Sequence, residues 1–439
     1  MRQGRELRFE AWRKVRHRRE LFWMVLLTSV VVSCLFFLAC SGAHKTSGPD
    51  RYAHAQSVLG APVSVAEAPR IASVPSAPAA AASAEPVPPG KPPSRSPREL
   101  FEALGEAERY YLPHNYVSSE TSQLQVAPLL LERRRPGGAY IGVGAEQNFS
   151  YIALVEPEVA FIIDPRRSIV LLHLLYKAMF DEARTRSEFV SFMVGRPYDA
   201  SDEPPRNVHV EDVIAHVENL GRFPELRRTT LARLTKRIST KYGFKLTASD
   251  RATLEEISKA FFDHGLDIRF EPEGKVDPGY VKFREQLALR APNGQELGFL
   301  GQDRAFRYVQ RMQRENRIIV LVGDLAGEKA LSGIAAYLKA AQIPLRTFYV
   351  SNHEEPLFAL KTWPKWVKNL DALSTDKHAV FIRTWFGEDR HPYQLPGTRT
   401  TTLLQPIADF RAREQQGSGW SSYRALLFDA SQETVTTSH

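Results

Sequence analysis

The spacing of hydrophobic positions changes several times along this chain, and each change predicts a different element. Residues 138–144 (GAYIGVG) are a short apolar run ending in Gly-x-Gly, preceded by the breaker Pro136-Gly137-Gly138. A second run, residues 159–163, ends in Asp164. Short apolar runs bounded by turn residues predict buried strands. Ile169, Leu172, Leu175, Met179, Phe189 and Phe192 then recur at helical spacing, predicting one long helix over 168–195 that Gly195 and Pro197 end. Residues 317–324 (RIIVLVGD) predict a strand buried on both faces, 327–341 an amphipathic helix, and 345–351 (LRTFYVS) the next strand. A helix over about 354–370 and a strand over 378–385 (HAVFIRTW) follow. Upstream, PRELFEALGEAERYYLP predicts a first helix with Phe101, Leu104 and Ala107 on one face, and NYVSSETSQLQVAPLLLERRR brings a second up to the glycine strand. Residues 200–300 break the alternation. EDVIAHVENL and SDRATLEEISKAFFDHG predict helices there, the second capped by Ser249 or Asp250, with LDIRFE as a short strand. This region reads as a largely helical insertion.

Strands alternating with helices imply the α/β class, with a mainly parallel, doubly wound sheet covered on both faces. Ligands of such sheets sit beyond the carboxyl ends of the strands, where the strand order reverses. Four predicted strand ends deliver polar residues or glycine to that edge. The first carries Gly142, Gly144, Glu146, Gln147 and Asn148; the second, Asp164; the third, Gly323 and Asp324; the fourth, Ser351 and Asn352, with His353 and Glu354 beyond. Strand, glycine turn, short helix, strand and acid is the layout of a nucleotide-binding unit, in which the acid accepts hydrogen bonds from ribose hydroxyls. Asp164 also suits a helix cap, because Pro165 fits a first helical position. The glycine motif departs from two known fingerprints. Gln147 stands at the sixth position of G-x-G-x-x-G, and Tyr140 and Glu146 stand where a methyltransferase pattern has an acid and a glycine. Glu146 near a helix start also opposes a phosphate. Arg166 and Arg167 read as solvated, and His173 and Lys177 as packing or surface residues. His209 and His216 lack zinc spacing, so no metal site is expected. No Gly-x-Ser-x-Gly elbow, P-loop or paired-carboxylate signature is present.

Charge and composition set the folded part apart from what precedes it. Residues 1–20 hold eight basic side chains against three acidic ones, a net of +5 out of the chain's +8. Residues 21–39 carry no charge and are nearly all apolar, long enough to span a bilayer, which needs about 20 residues. The basic flank should stay in the cytoplasm and send the rest of the chain outside it, into a bacterial cell envelope. Phe37-Leu38-Ala39-Cys40-Ser41 is similar to a lipoprotein cleavage box, with Phe37 and Leu38 departing from the usual Leu and small residue. Either Cys40 is lipidated after cleavage, or the 21–40 segment remains as an anchor. A soluble cytoplasmic chain is disfavoured, because so long an uncharged run is hard to solvate. Residues 41–98 hold 11 of the 29 prolines and read as a disordered linker, leaving 99–439 as the folded domain. That domain contains no cysteine, since the two present are Cys34 and Cys40. It can therefore hold no disulfide, thiolate metal site or cysteine nucleophile. The remaining net charge of +3 gives no reason to expect a nucleic-acid partner.

The segments NYVSSETSQ, GAYIGVGAEQNFSYIA, AFIIDPRRS with LLHLLYKAMF, GFLGQDRAFRYV, VLVGDLAGEKAL and TFYVSNHEEPLF together resemble a family of uncharacterised bacterial proteins with an S-adenosylmethionine methyltransferase-like fold. The resemblance runs from about Glu99 to Tyr423. It implies that fold, and S-adenosylmethionine as cofactor. Gly142, Gly144, Glu146, Gln147, Asn148 and Asp164 match its glycine loop and acidic strand end; Gly323, Asp324, Ser351 and Asn352 match its later strand ends. The family brings no established reaction. Two functions are therefore expected: a membrane-tethered methyltransferase of unknown acceptor, or an envelope ligand-binding module on a repurposed methyltransferase fold. The expected partners are the membrane, through the N-terminal segment or a lipid on Cys40, and a small molecule.

Overall fold

The structure, a computed structural model, describes residues 96–109, 115–271, 280–417 and 419–435. The chain divides into the units Met1–Ala82 and Ser83–His439, and all described residues belong to the second. The basic stretch, the apolar run with Cys40, and the linker up to residue 95 lie outside them. Among the described residues, no helix is long and apolar enough to cross a membrane.

Six strands form one sheet: β1 (Ala139–Val143), β2 (Val159–Asp164), β3 (Ile318–Val322), β4 (Leu345–Ser351), β5 (Thr375–Trp385) and β6 (Thr401–Pro406). Their order is β3-β2-β1-β4-β5-β6, with β6 antiparallel to β5 and every other pair parallel. β1, β2 and β3 are buried along their whole length, which is why they read as unbroken apolar runs. The chain moves outward from β1 through β2 to β3, then returns to β4 on the other side of β1. Right-handed crossovers put the helices before and after that return on opposite faces. The reversal between β1 and β4 opens the crevice in which sheets of this Rossmann-like order take ligands.

One helical layer is pinned by an aromatic cluster. Phe149, Tyr176, Phe180, Phe189, Phe299 and Phe306 meet at ring separations of 4.3 to 6.3 Å, tying the helices Gln147–Val155, Arg167–Glu182, Arg186–Val194 and Asp303–Arg314 together. Beyond the sheet-covering layer, the helices Pro224–Thr240 and Ala248–His264 pack on Arg167–Glu182.

Several elements differ from the sequence reading. The long helix is two, because the chain turns extended at Ala183 and restarts at Thr185, whose hydroxyl caps Glu188 N–H at 3.0 Å. The first helix stops at Leu104 and is capped by a Ser96–Glu99 box. The stretch 115–126 is irregular, and the second helix is only Ala127–Glu132. The helix after β3 begins at Ala330, and that between β4 and β5 is broken into Glu355–Ala359 and Trp363–Asp371. Thr247 caps Ala248–His264, with Asp250 completing the box. LDIRFE forms a short 3-10 turn, Gly265–Asp267, and one isolated bridge from Arg269 to Lys282. β6 was not predicted, because its TTLLQP is too polar to read as a strand; Thr401, Thr402 and Gln405 are nonetheless fully buried.

Candidate functional site at the strand switch

The chain's own upstream segment covers the carboxyl edge of the sheet. Glu106 N–H donates to Val322 O at the end of β3 (2.8 Å), and Arg109 N–H to Pro165 O just past β2 (3.0 Å). Ser118 N–H then donates to Glu146 Oε1 beyond β1 (3.0 Å). The Glu120 carboxyl accepts from the hydroxyls of Tyr349 and Ser351 on β4 and of Thr384 on β5, the last at 2.8 Å. Thr121 and Ser122 pair with Thr400 at 3.2 and 2.7 Å, and Ser122 with Thr402 on β6 at 2.9 Å. The described parts of this segment therefore meet the strand ends in sheet order.

Glu120 is 2% exposed, and burial pushes its carboxyl up despite its three hydroxyl donors. Those donors are held from behind. Gln147 Nε2 donates to Tyr349 OH at 2.6 Å, and Tyr423 OH lies 2.9 Å from the carbonyls of both Ser351 and Thr384. Ser351 has φ +51°, a left-handed conformation uncommon for a side-chain-bearing residue, and it turns the chain at the end of β4.

The glycine turn serves the protein's own packing. A Cβ on Gly142 would stand 1.9 Å from Asn148 Oδ1. Asn148 fills that space, accepting from Tyr140 OH (2.9 Å) and donating to the carbonyls of Val143 (2.8 Å) and Ala145 (2.7 Å). Gly144 turns the chain at φ +78°. Glu146 is buried beside it. Burial pushes its carboxyl up to about 7, the Ser118 N–H opposes this, and Glu120 adds to it. His173 Nε2 lies 2.8 Å from Gly144 O, and burial pushes the ring down to about 4. The ring is thus neutral at pH 7, donates from Nε2, and leaves Nδ1 bare. Both His173 and Lys177 are buried; Lys177 Nζ donates to Gln313 O, and burial pushes it down to about 7.

A second cluster lies at the ends of β2 and β3. Asp164 is fully buried, and Arg166 folds back on it, donating from N–H (2.9 Å) and Nε (2.8 Å) to Oδ1 and from Nη2 (2.8 Å) to Oδ2. Burial alone would raise this carboxyl; the charge and hydrogen bonds of Arg166 outweigh it and hold Asp164 below the usual range. Arg167 is likewise paired, with Asp250 (2.5 and 2.9 Å), so neither arginine is simply solvated. Asp324 accepts from Ala326 N–H at 2.9 Å and from Arg109 at 3.4 Å. His353, pushed down to about 4 by burial, faces Asp164, Arg166 and Asp324. Gly323 allows the helix to approach, since a Cβ there would meet that of Ala330 at 2.5 Å. Asn352 O accepts from Glu355 N–H at 3.0 Å. At the start of the helix Ala330–Ala341, Glu106 Oε1 takes the N–H groups of Lys329 (2.8 Å) and Ala330 (2.6 Å).

The predicted residues thus fall in part into two groups, Glu146, Gln147 and Ser351 around Glu120, and Asp164 and Asp324 around Arg166 and His353, while Gly142, Gly144, Asn148, Gly323 and Asn352 serve turns and packing. As arranged, they fit S-adenosylmethionine poorly. Both Asp164 oxygens are engaged by Arg166, Asn148 fills the gap at Gly142, and Glu120 sits over the ends of β4 and β5 beside the switch. Glu120, Tyr349, Thr384 and Tyr423 were missed. The one signal for Glu120 was a polar run, SSETSQ, with no glycine or proline to make it a turn. Among the described residues, the side chains of His209, Glu211 and Glu296 come close enough to share a metal ion. Arg290 already places a guanidinium 2.9 Å from Glu211 and 2.6 Å from Glu296, supplying the positive charge there.

A family profile described as a domain of unknown function (DUF7790) matches residues 116–203 and 274–437. The chain belongs to this family. The two matched stretches carry all six strands, Glu120 and the glycine turn, and pass over 204–273, where the helices Val210–Glu218, Pro224–Thr240 and Ala248–His264 lie. No curated protein matches the chain.

Proposed function

We propose that this member of the DUF7790 family is a membrane-tethered module of the bacterial cell envelope that binds a small molecule on a repurposed methyltransferase-like fold. The observation that carries this reading is Glu120, a buried carboxyl from the upstream segment seated among three hydroxyls at the strand switch. The pairing of Asp164 with Arg166 and of Gly142 with Asn148 supports it, since each takes a place that a nucleoside cofactor would need. The tether reading rests on the basic stretch, the uncharged run 21–39 and the linker, with either an anchor or a lipid on Cys40. That topology separates the domain from S-adenosylmethionine, which is made in the cytoplasm.

A second reading is favoured by Asp164 and Asp324 standing at neighbouring strand ends beside the glycine turn: an S-adenosylmethionine-dependent methyltransferase of unknown acceptor. Calorimetric titration of S-adenosylhomocysteine into the protein and into Asp164→Ala separates the two. The module reading expects no binding at millimolar ligand. Micromolar binding that Asp164→Ala abolishes would replace it with the second reading. A reporter fused at the C-terminus tests the topology, and a cytoplasmic readout would remove the envelope assignment.

A further inference from the structure

We infer that the ligand of the strand switch is a small carboxylate, and that residues 118–122 are a plug this ligand displaces, the Glu120 carboxyl standing in the ligand's seat. The inference rests on the ligand-binding reading above and gives it a chemical class.

The seat is built to receive a carboxyl. Three hydroxyls, from Tyr349, Ser351 and Thr384, converge on the two oxygens of one carboxyl group. Each is fixed by something other than its occupant: Gln147 orients Tyr349, while Tyr423 holds the carbonyls of Ser351 and Thr384. Ser351 keeps its uncommon left-handed backbone where its hydroxyl meets the seat, and such outliers gather at ligand clamps. The seat lies at the carboxyl ends of β4 and β5, next to the β1–β4 reversal where sheets of this order bind ligands.

The occupant is held in a way that permits release. Residues 118–122 belong to no helix or strand. Apart from the internal bond of Glu120 N–H to Ser118 Oγ (3.2 Å), the bonds that attach them to the sheet and its loops involve side chains. These run from Ser118 N–H to the Glu146 carboxyl, from Gln286 Nε2 to Glu120 O (3.0 Å), from three hydroxyls to the Glu120 carboxyl, and from Arg399 N–H (2.8 Å) and Thr400 N–H (3.1 Å) to Thr121 Oγ1, with Thr121 and Ser122 also bonded to the Thr400 and Thr402 hydroxyls. Their withdrawal breaks no ladder between strands.

The groups facing the seat predict how occupancy varies with pH. Tyr349 and Ser351 face it from β4, Thr384 from β5, Tyr140 from β1, Tyr151 from the helix Gln147–Val155, and Tyr423 from the C-terminal side. Among the described residues Glu146 is a further acid whose charge and that of Glu120 oppose each other, and none of the groups named here is a cation. A second carboxylate is therefore opposed once Glu146 ionises, and binding should tighten as pH falls below about 7.

The test uses the full chain with propionate as the probe and propionamide as the control. Glu120→Ala empties the seat and should bind propionate at least tenfold more tightly than the parent, and more tightly at pH 6 than at pH 8. Glu120→Gln keeps the seat filled and should resemble the parent. In the parent, saturating propionate should speed amide hydrogen exchange at 118–122 at least tenfold while leaving β1 and β4 protected. A folded Glu120→Ala that takes up no propionate, or takes up propionamide equally, overturns the carboxylate seat. Should that variant not fold, the parent's exchange decides, and unchanged exchange at 118–122 overturns the plug. Titrating S-adenosylhomocysteine into the same variants keeps the two ideas apart. Tight binding of it to Glu120→Ala, with none of propionate, overturns the carboxylate seat while leaving a ligand site at the switch. Propionate binding with none of S-adenosylhomocysteine supports both.

Discussion

Arg383 and Glu354 face each other with neither side chain exposed to solvent. The guanidinium donates to both carboxylate oxygens, Trp366 Nε1 donates to the same carboxylate at 2.9 Å, and the Phe381 ring lies 4.0 Å under the guanidinium. A buried pair of this kind is weak evidence for net stability, but breaking it leaves one charge without compensation. Arg383→Met should therefore cost about 3–5 kcal/mol in urea unfolding. Adding Glu354→Gln should recover a large part of that loss, as a double-mutant cycle would register.

Glu146 and His173 push stability in opposite directions with pH. The Glu146 carboxyl is raised from 4.5 to about 7, so its contribution is complete below pH 4.5 and is lost as pH rises to about 7. His173 is lowered from 6.5 to about 4, so its contribution is complete above pH 6.5 and is lost as pH falls to about 4. Glu146→Gln keeps the acceptor for Ser118 N–H and removes the first effect alone. Its unfolding free energy should hold or rise from pH 4.5 to 7 where the parent's falls relative to it, by at most roughly 3 kcal/mol at the upper end.

Gly142→Ala distinguishes a packing glycine from a ligand-facing one. The added methyl collides with Asn148 Oδ1 and with the Tyr140 ring, so the variant should lose about 1–3 kcal/mol with no ligand present. Combining it with Asn148→Ala should relieve the collision with Asn148 but not that with Tyr140, and so recover only part of the loss. A variant as stable as the parent would return this glycine to a ligand role.

Glu106→Ala should free the amides of Lys329 and Ala330 and cost about 1 kcal/mol, the usual value of a helix cap. Faster hydrogen exchange at those two amides, with the rest of the helix unchanged, is the expected signature.

The sheet was legible because β1, β2 and β3 are buried along their whole length and the sequence has to be continuously apolar there, as in 159–163 and 318–322. The strand ends were legible for a related reason, since polar residues directly after such runs must lie at the edge. What those polar residues bind was not legible. Asp164 looks the same in sequence whether it holds a ribose or Arg166, and Gly142 the same whether it admits a ligand or Asn148. Glu120 was hidden because its partners lie 229, 231 and 264 residues away, on β4 and β5. β6 was hidden because its buried threonines and glutamine meet partners that local propensity does not register.

The covering segment also imposes an order on folding. It leaves the ribosome before any strand, yet Lys329 lies 223 residues beyond Glu106, and Thr402 lies 280 residues beyond Ser122. No part of its docking surface on β3 to β6 exists until most of the chain has been made. Such non-local closure comes late, because the loop entropy must be met before the contacts form. Until then the upstream segment pairs only with early parts of the chain, as through Ser118 to Glu146 and Arg109 to Pro165 just beyond β1 and β2, and a chain that stops short of β6 has nowhere to put Thr121 and Ser122. The first part of the domain to be synthesised is thus among the last to be fully seated.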